Sequence, residues 1–210
     1  SRIFQRSDLD ATSFSTLVAC VADMDVMPDC APSILGLVSG DDDAKWTNPR
    51  RRWKARRHFG NKPEIIERKL MERRQRLCES DGQSVRTFVS DHWTLEYDLA
   101  FSGLAEEVYI AGRLAKNDAA ILEGKIAADD VKQNARDRFK KLEKSFAADR
   151  AVLCSHVYKP FKSSRTSKAI AAQYLASALA AEGAKEGFDA GAFKRRLPPY
   201  IVEAIAYVTG

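Results

Sequence analysis

The sequence predicts an α/β fold: a mostly parallel sheet flanked by helices, with a helical insertion and elaboration. Three observations carry that expectation. The first is an apolar run from Thr16 to Ala22 closed by Asp23-Met24-Asp25-Val26-Met27-Pro28, which reads as a strand buried in a parallel sheet rather than an alternating, half-exposed one. The second is its echo, since Val85 to Val89 reads as another short strand and runs into Ser90-Asp91-His92-Trp93. The third is the helical spacing of much of the rest, above all Val131, Ala135, Phe139, Leu142 and Phe146, whose steps of four, four, three and four trace one apolar face.

Composition bounds the function classes. With 210 residues, 45% of them hydrophobic, the chain can bury a core, and one domain with an insertion is expected. No run of eighteen apolar residues and no secretory h-region occurs, so a membrane partner is excluded and a cytoplasmic location is expected. Cys20, Cys30, Cys78 and Cys154 show no C-x-x-C spacing, and His58, His92 and His156 are dispersed. Zinc ribbons, disulfide frameworks and histidine metal clusters are therefore not expected. The opening Ser1-Arg2-Ile3-Phe4 has no initiator Met, and a fragment of a longer protein is expected.

Five segments follow in order. Residues 1–44 form the first part of the sheet core: a helix end, a polar turn at Ser7 to Asp10, the Asp-x-Asp strand, and a loop at Ser39-Gly40-Asp41-Asp42-Asp43 whose default reading is an acidic, solvated turn. Residues 45–80 are a basic, partly helical insertion. Its helix starts at Asn61-Lys62-Pro63, where a proline's missing N–H costs nothing, and Ile66, Leu70 and Leu77 give it an apolar stripe that leaves Arg68, Arg73 and Arg76 outside. Residues 81–117 hold the second strand and a helix beginning Thr94-Leu95-Glu96, with Thr94 as N-cap. Residues 118–150 are a helical elaboration. In residues 151–210, Ala151-Val152-Leu153-Cys154 reads as a third, buried strand. An Ala-rich helix capped by Ser167 follows, and after Pro198-Pro199 a last short helix turns Ile201, Ile205 and Val208 inward.

Ligands bind where the strands of open α/β sheets end. Asp23 and Asp25 stand at such an end, and two carboxylates one residue apart suit a hard cation that takes oxygen ligands. Standing alone, Asp-x-Asp reads by default as a polar loop after a strand. Glu96 repeats the layout after the second strand, with Asp91 and Asp98 as weaker metal candidates beside it. Lys168 occupies the first turn of its helix, where the macrodipole disfavours a cation unless an anion docks there; solvated surface is the other reading. Between Lys45 and Arg76, thirteen basic residues face three glutamates, a local excess of +10 within a net charge of +5. Arg50, Arg51, Arg52, Lys54, Arg56 and Arg57, interleaved with Trp46, Trp53 and Phe59, suit a DNA backbone through guanidinium forks and ring stacking. A mobile, soluble insertion is the plainer alternative.

Taken in order, V-A-D-M-D-V-M-P, W-T-L-E-Y-D-L-A and S-K-A-I-A-A-Q-Y-L-A resemble the Toprim nuclease region of overcoming-lysogenisation-defect (OLD) family proteins, over most of the chain from Arg2 to Tyr207. The resemblance implies a Toprim-like sheet and a divalent-metal-dependent DNA endonuclease. Asp23 and Asp25 would be metal ligands, Glu96 would be both a metal ligand and catalytic, and Lys168 would be the catalytic lysine facing the scissile phosphate. It also implies Mg2+, or Mn2+ or Ca2+ in its place, as two ions, and a role in phage defence. The family's N-terminal ATPase domain would be a further partner, bringing ATP and a possible homo-oligomer. The chain departs from the family pattern in two ways: no hydrophobic-E-G segment precedes Asp23, and no G-x-x-x-x-G-K-[ST] motif is present. A C-terminal piece of a longer protein is expected over an incomplete site.

In such an enzyme two cations roughly 3.5 to 4 Å apart stabilise the attacking and leaving oxygens. Two alternatives stay open. One is a topoisomerase or primase core, for which neither Tyr97 nor Tyr109 is placed as a nucleophile. The other is a DNA-binding or regulatory module without catalysis.

Overall fold

The structure, a computed structural model, describes residues 16–39, 54–82, 84–162 and 166–210. The expected helix end before residue 16, the Asp41 to Asp43 turn and Arg50, Arg51 and Arg52 lie outside the described residues. The protein is mixed α/β and 66% helical, with a small two-stranded parallel sheet. It divides into two compact units.

Unit 1 takes in residues up to 29, residues 53–98 and residues 197–210. Strand β1 (Val18–Ala22) pairs in parallel with β2 (Val85–Val89), from Val18 opposite Val85 to Ala22 opposite Val89. A parallel pair needs a crossover, and helix α2 (Pro63–Cys78) lies within it and packs on β2. Pro63 occupies its first turn, as expected. Because side chains alternate along a strand, the two faces of β2 serve different helices. Val89 joins Met24 and Val26, with Leu70, Leu77 and Cys78 of α2 against them. Phe88 joins Tyr200 and Ala204 of α9 (Pro199–Thr209), with Ala19 and Leu95 alongside. The sheet is thus the middle layer of three.

Two expectations about unit 1 are corrected. Strand β1 is half-buried rather than buried, with Val21 46% exposed. Helix α9 turns Tyr200 and Ala204 inward, whereas Ile205 and Val208 are 51% and 45% exposed. Both sets of positions are apolar at helical spacing, and the tyrosine ring fills the space beside Phe88.

Unit 2 takes in residues 30–52 and 99–196. It is built on α4 (Ala105–Leu122), against which α5 (Ala128–Phe146), α6 (Arg150–Tyr158) and α7 (Lys168–Gly183) pack. Gly112 allows a close approach, since a Cβ there would lie 3.0 Å from the Phe161 ring. Short α1 (Ala31–Ile34) rests on α6, and α8 (Ala190–Lys194) precedes Arg196, which bridges Glu107 and Glu182.

The third strand expected at Ala151 to Cys154 is instead the first half of α6. The Asp149 carboxylate accepts from the Val152 N–H at 3.0 Å and caps the helix. A four-residue apolar run does not distinguish a strand from a buried helical turn, and the N-cap decides for the helix.

Candidate functional site

In unit 1, Asp23 and Asp25 lie in the loop after β1 and Asp91 in the loop after β2. Asp23 follows directly on β1, and its Oδ1 accepts from the Leu95 N–H at 3.0 Å, the first residue of α3 (Leu95–Leu99). Asp25 is the described non-glycine residue with a positive φ, 55°, a conformation aspartate tolerates better than most. Its N–H donates to the Trp93 carbonyl at 3.1 Å. Ser90 stitches the same loops from between, its Oγ accepting from the Met24 N–H at 2.6 Å and donating to the Trp93 carbonyl at 3.0 Å. The loops after both strands are one hydrogen-bonded assembly.

The second strand's loop is held from below by Asp98. That carboxylate is 1% exposed and accepts from the N–H groups of Asp91 at 2.7 Å, His92 at 3.1 Å and Trp93 at 3.2 Å. Its oxygens shape the loop, a structural duty that the sequence does not announce. Thr94 is the N-cap expected of it, accepting from the Tyr97 N–H at 3.4 Å. Glu96 therefore sits half-buried in the first turn of α3, where the helix N-terminus favours negative charge.

Two arginines of α2 reach the same place. Arg73 donates through Nε to the Met24 carbonyl at 2.6 Å, with Nη2 3.9 Å from Asp25 Oδ2. Arg74 donates to the carbonyls of Val89 at 3.1 Å and Ser90 at 3.3 Å, and pairs with Asp91 Oδ1 at 3.3 Å. The stripe of α2 leaves Arg73 among solvated charges in the sequence; in the structure it is half-buried against the loop. The sequence signal for it is the Arg73-Arg74 doublet on a helix between two strand-end acids. Tyr200 has no such signal. It is 4% exposed and its hydroxyl has no hydrogen-bond partner among the described residues. Burial, and after it the charges of Asp98, Asp23, Asp91 and Glu96, hold that phenol well above its ordinary range.

The remaining candidates fall elsewhere. Lys54 is exposed, with Nζ 5.9 Å from the centre of the Phe59 ring. Arg56 is half-buried and donates its backbone N–H to the Met27 carbonyl at 3.1 Å. Arg57 is fastened to Asp29 through its backbone N–H at 2.7 Å and its guanidinium. Lys168 belongs to unit 2. It is the first residue of α7 behind a Ser167 cap, exposed, with Nζ 5.5 Å from the centre of the Tyr158 ring.

As chemistry, the strand-end set is all oxygen, the donor type of a hard cation rather than of zinc or copper. As geometry, no group of three or more His, Cys, Asp or Glu side chains among the described residues is gathered to hold one ion. Asp25 and Asp91 face arginines instead. Compared with family models, with characterised proteins and with solved structures, the chain matches none. No helix among the described residues is long and apolar enough to cross a membrane.

Proposed function

We propose that this chain is the Toprim nuclease region of an OLD-family protein and hydrolyses DNA phosphodiesters with Mg2+ or Mn2+. The observation that carries the reading is the shared location of Asp23, Asp25, Asp91 and Glu96 at the carboxyl ends of neighbouring parallel strands, with Asp23 bonded to the helix that bears Glu96. The residues fit a hard cation by donor type.

Bound divalent ions supply the charge that stabilises attacking and leaving oxygens and lower the pKa of water. The chain's own residues do the rest. Asp23 and Asp25, the latter exposed on its loop, would hold the ions. Glu96, in the first turn of α3, would ligate an ion or orient its water. The basic segment that includes Lys54 and Arg56 grips the DNA backbone. An upstream ATPase region would bring ATP and the oligomer, in the cytoplasm. Tyr97 and Tyr109 are 1% and 8% exposed, which favours direct hydrolysis over a covalent tyrosine route.

The second reading is a DNA-binding module without catalysis, favoured by the arginines that face Asp25 and Asp91. Supercoiled plasmid separates the two. With Mn2+ or Mg2+, the protein nicks it, chelator stops the nicking, and Asp23→Asn and Glu96→Gln each lower the rate at least about a hundredfold, as loss of a charge-stabilising group does. A protein that retards the plasmid on a gel under every metal condition and leaves it uncut is the binding module.

A further inference from the structure

Helices α4 and α5 of unit 2 run back along each other from the connection at residues 123–127, and their contact changes character along its length. Away from the connection it is core. Tyr109 and Phe139 are buried with their ring centres 6.1 Å apart, and Ala135, one turn nearer the connection, is buried too. Closer still, α5 continues its apolar stripe to Val131, but the positions of α4 in line with Tyr109, four and eight residues on, are Arg113 and Asn117. Residues four apart share a helix face, so a guanidinium and an amide stand where two leucines would have closed the helices on each other. A cavity of about 380 Å³ is left there, lined by Arg113 and Asn117 of α4, Lys125 and Ile126 of the connection, and Asp130 and Val131 of α5.

The charges lining this cavity do not settle one another. Lys125 pairs with Glu123. The guanidinium of half-buried Arg113 makes no hydrogen bond or ion pair with a described residue, and neither does the carboxylate of Asp130 on the opposite wall. A cation partly withdrawn from water and left without an acceptor is costly, and an anion offsets that cost. Asn117 donates its Nδ2 to the Arg113 carbonyl at 2.7 Å, which leaves the amide oxygen as an acceptor. The cavity therefore combines a guanidinium on one wall, acceptors in Asp130 and Asn117, and an apolar surface in Ile126 and Val131. Inorganic phosphate uses only the first of these, and a free amino acid carries its two charges too close together to use the apolar surface between them. We propose that the cavity binds a nucleoside monophosphate, with the phosphate forked on Arg113, the base against Ile126 and Val131, and the N–H edge of the base toward Asp130 and Asn117. Arginine takes phosphate oxygens in pairs, and the volume falls in the range of small-molecule sites, about 300–1,000 Å³. The site belongs to unit 2 alone and stands apart from the metal-dependent reading of the strand ends.

Isothermal calorimetry on the full chain tests it, in chelator so that metal at the strand ends plays no part. GMP is the probe, because guanine gives a carboxylate two adjacent N–H donors. GMP binds with a Kd below about 1 mM, and guanosine and inorganic phosphate each bind at least about tenfold more weakly, since each lacks one half of the recognition. Arg113→Gln lowers GMP affinity at least about tenfold, while its urea midpoint without nucleotide equals or exceeds the parent's, because the guanidinium it removes has no described protein partner. Asp130→Asn lowers GMP affinity about threefold or more and leaves that of inorganic phosphate unchanged. A parent chain that does not bind GMP overturns the proposal, as does equal affinity for GMP and guanosine or an Arg113→Gln chain that binds GMP as the parent does. A variant at Arg113 that loses stability, or does not fold, also overturns it, since the guanidinium then serves the fold. None of these outcomes bears on plasmid nicking, which tests the other reading separately.

Discussion

Asp98 is the side chain on which the second strand's loop depends. Three backbone N–H groups converge on a carboxylate that is 1% exposed, and hydrogen bonds to a charged acceptor are worth about 1.5–3 kcal/mol each, less than additively. Asp98→Ala therefore lowers the free energy of unfolding by at least about 3 kcal/mol in a urea titration. Asp91→Ala, at a half-buried position opposite Arg74, costs under about 1 kcal/mol. The contrast separates two acids that look alike in sequence. Nothing in S-D-H-W-T-L-E-Y-D tells which carboxylate turns back under the loop, because that depends on where the chain folds after Thr94. Asp23 and Glu96 are legible because each closely follows a β-like run. Tyr200 is not, because the Phe88 face it covers is distant from it in the chain.

At the scale of elements, the helices are more legible than the strands. Long periodic stripes such as that of α5 are distinctive, and Ala135 and Phe139 are buried as the spacing requires. Short apolar runs are not, which is why the start of α6 reads as a strand. The cap that decides it is testable: Asp149→Ala destabilises the protein by about 1 kcal/mol, and by circular dichroism the loss is helical. Helix α6 also carries a pH dependence. His156 stacks on Phe146 at 4.5 Å between ring centres, 13° from coplanar. Burial first, and the Lys159 charge second, lower its pKa from the usual 6.5. The folded state thus prefers the neutral ring, and the unfolded chain takes up the proton first as pH falls. Stability present above the unfolded value of 6.5 is lost on acidification through it toward the folded pKa. His156→Phe, which keeps the stack, removes that part of the decline in melting temperature between about pH 7.5 and 5.5. An identical decline in the variant assigns it to other groups.

For the whole molecule, charge distribution makes the broadest prediction. The excess of +10 between Lys45 and Arg76 is partly tied down, since Arg57, Arg73 and Arg74 serve Asp29 and the strand-end loops. On the proposed DNA-binding reading, charge reversal at Arg50, Arg51 and Arg52 weakens DNA binding across sequences and flattens its salt dependence by up to about 0.9 log-log unit for each phosphate left unneutralised. An unchanged slope shows that these three serve solubility alone. The parallel pairing of the strands can be read from their apolar runs, but the division into two units cannot. A unit assembled from separated segments leaves no local mark in composition or periodicity.

That division sets an order of events during synthesis. The sheet of unit 1 gains α9, with Tyr200, from residues 197–210, after the intervening helices of unit 2 have been made. Domains form as units while the ribosome delivers the chain, and contacts that close over long separations come late and slowly. The helices of unit 2 therefore have time to settle while β1 and β2 wait with the Phe88 face uncovered. A chain ending at Arg196 keeps most of its helix signal, exposes that face to a hydrophobic dye and aggregates from it. The Phe88 face is then covered only in protein whose translation has run past Ala204, so an unfinished chain presents an open sheet face instead.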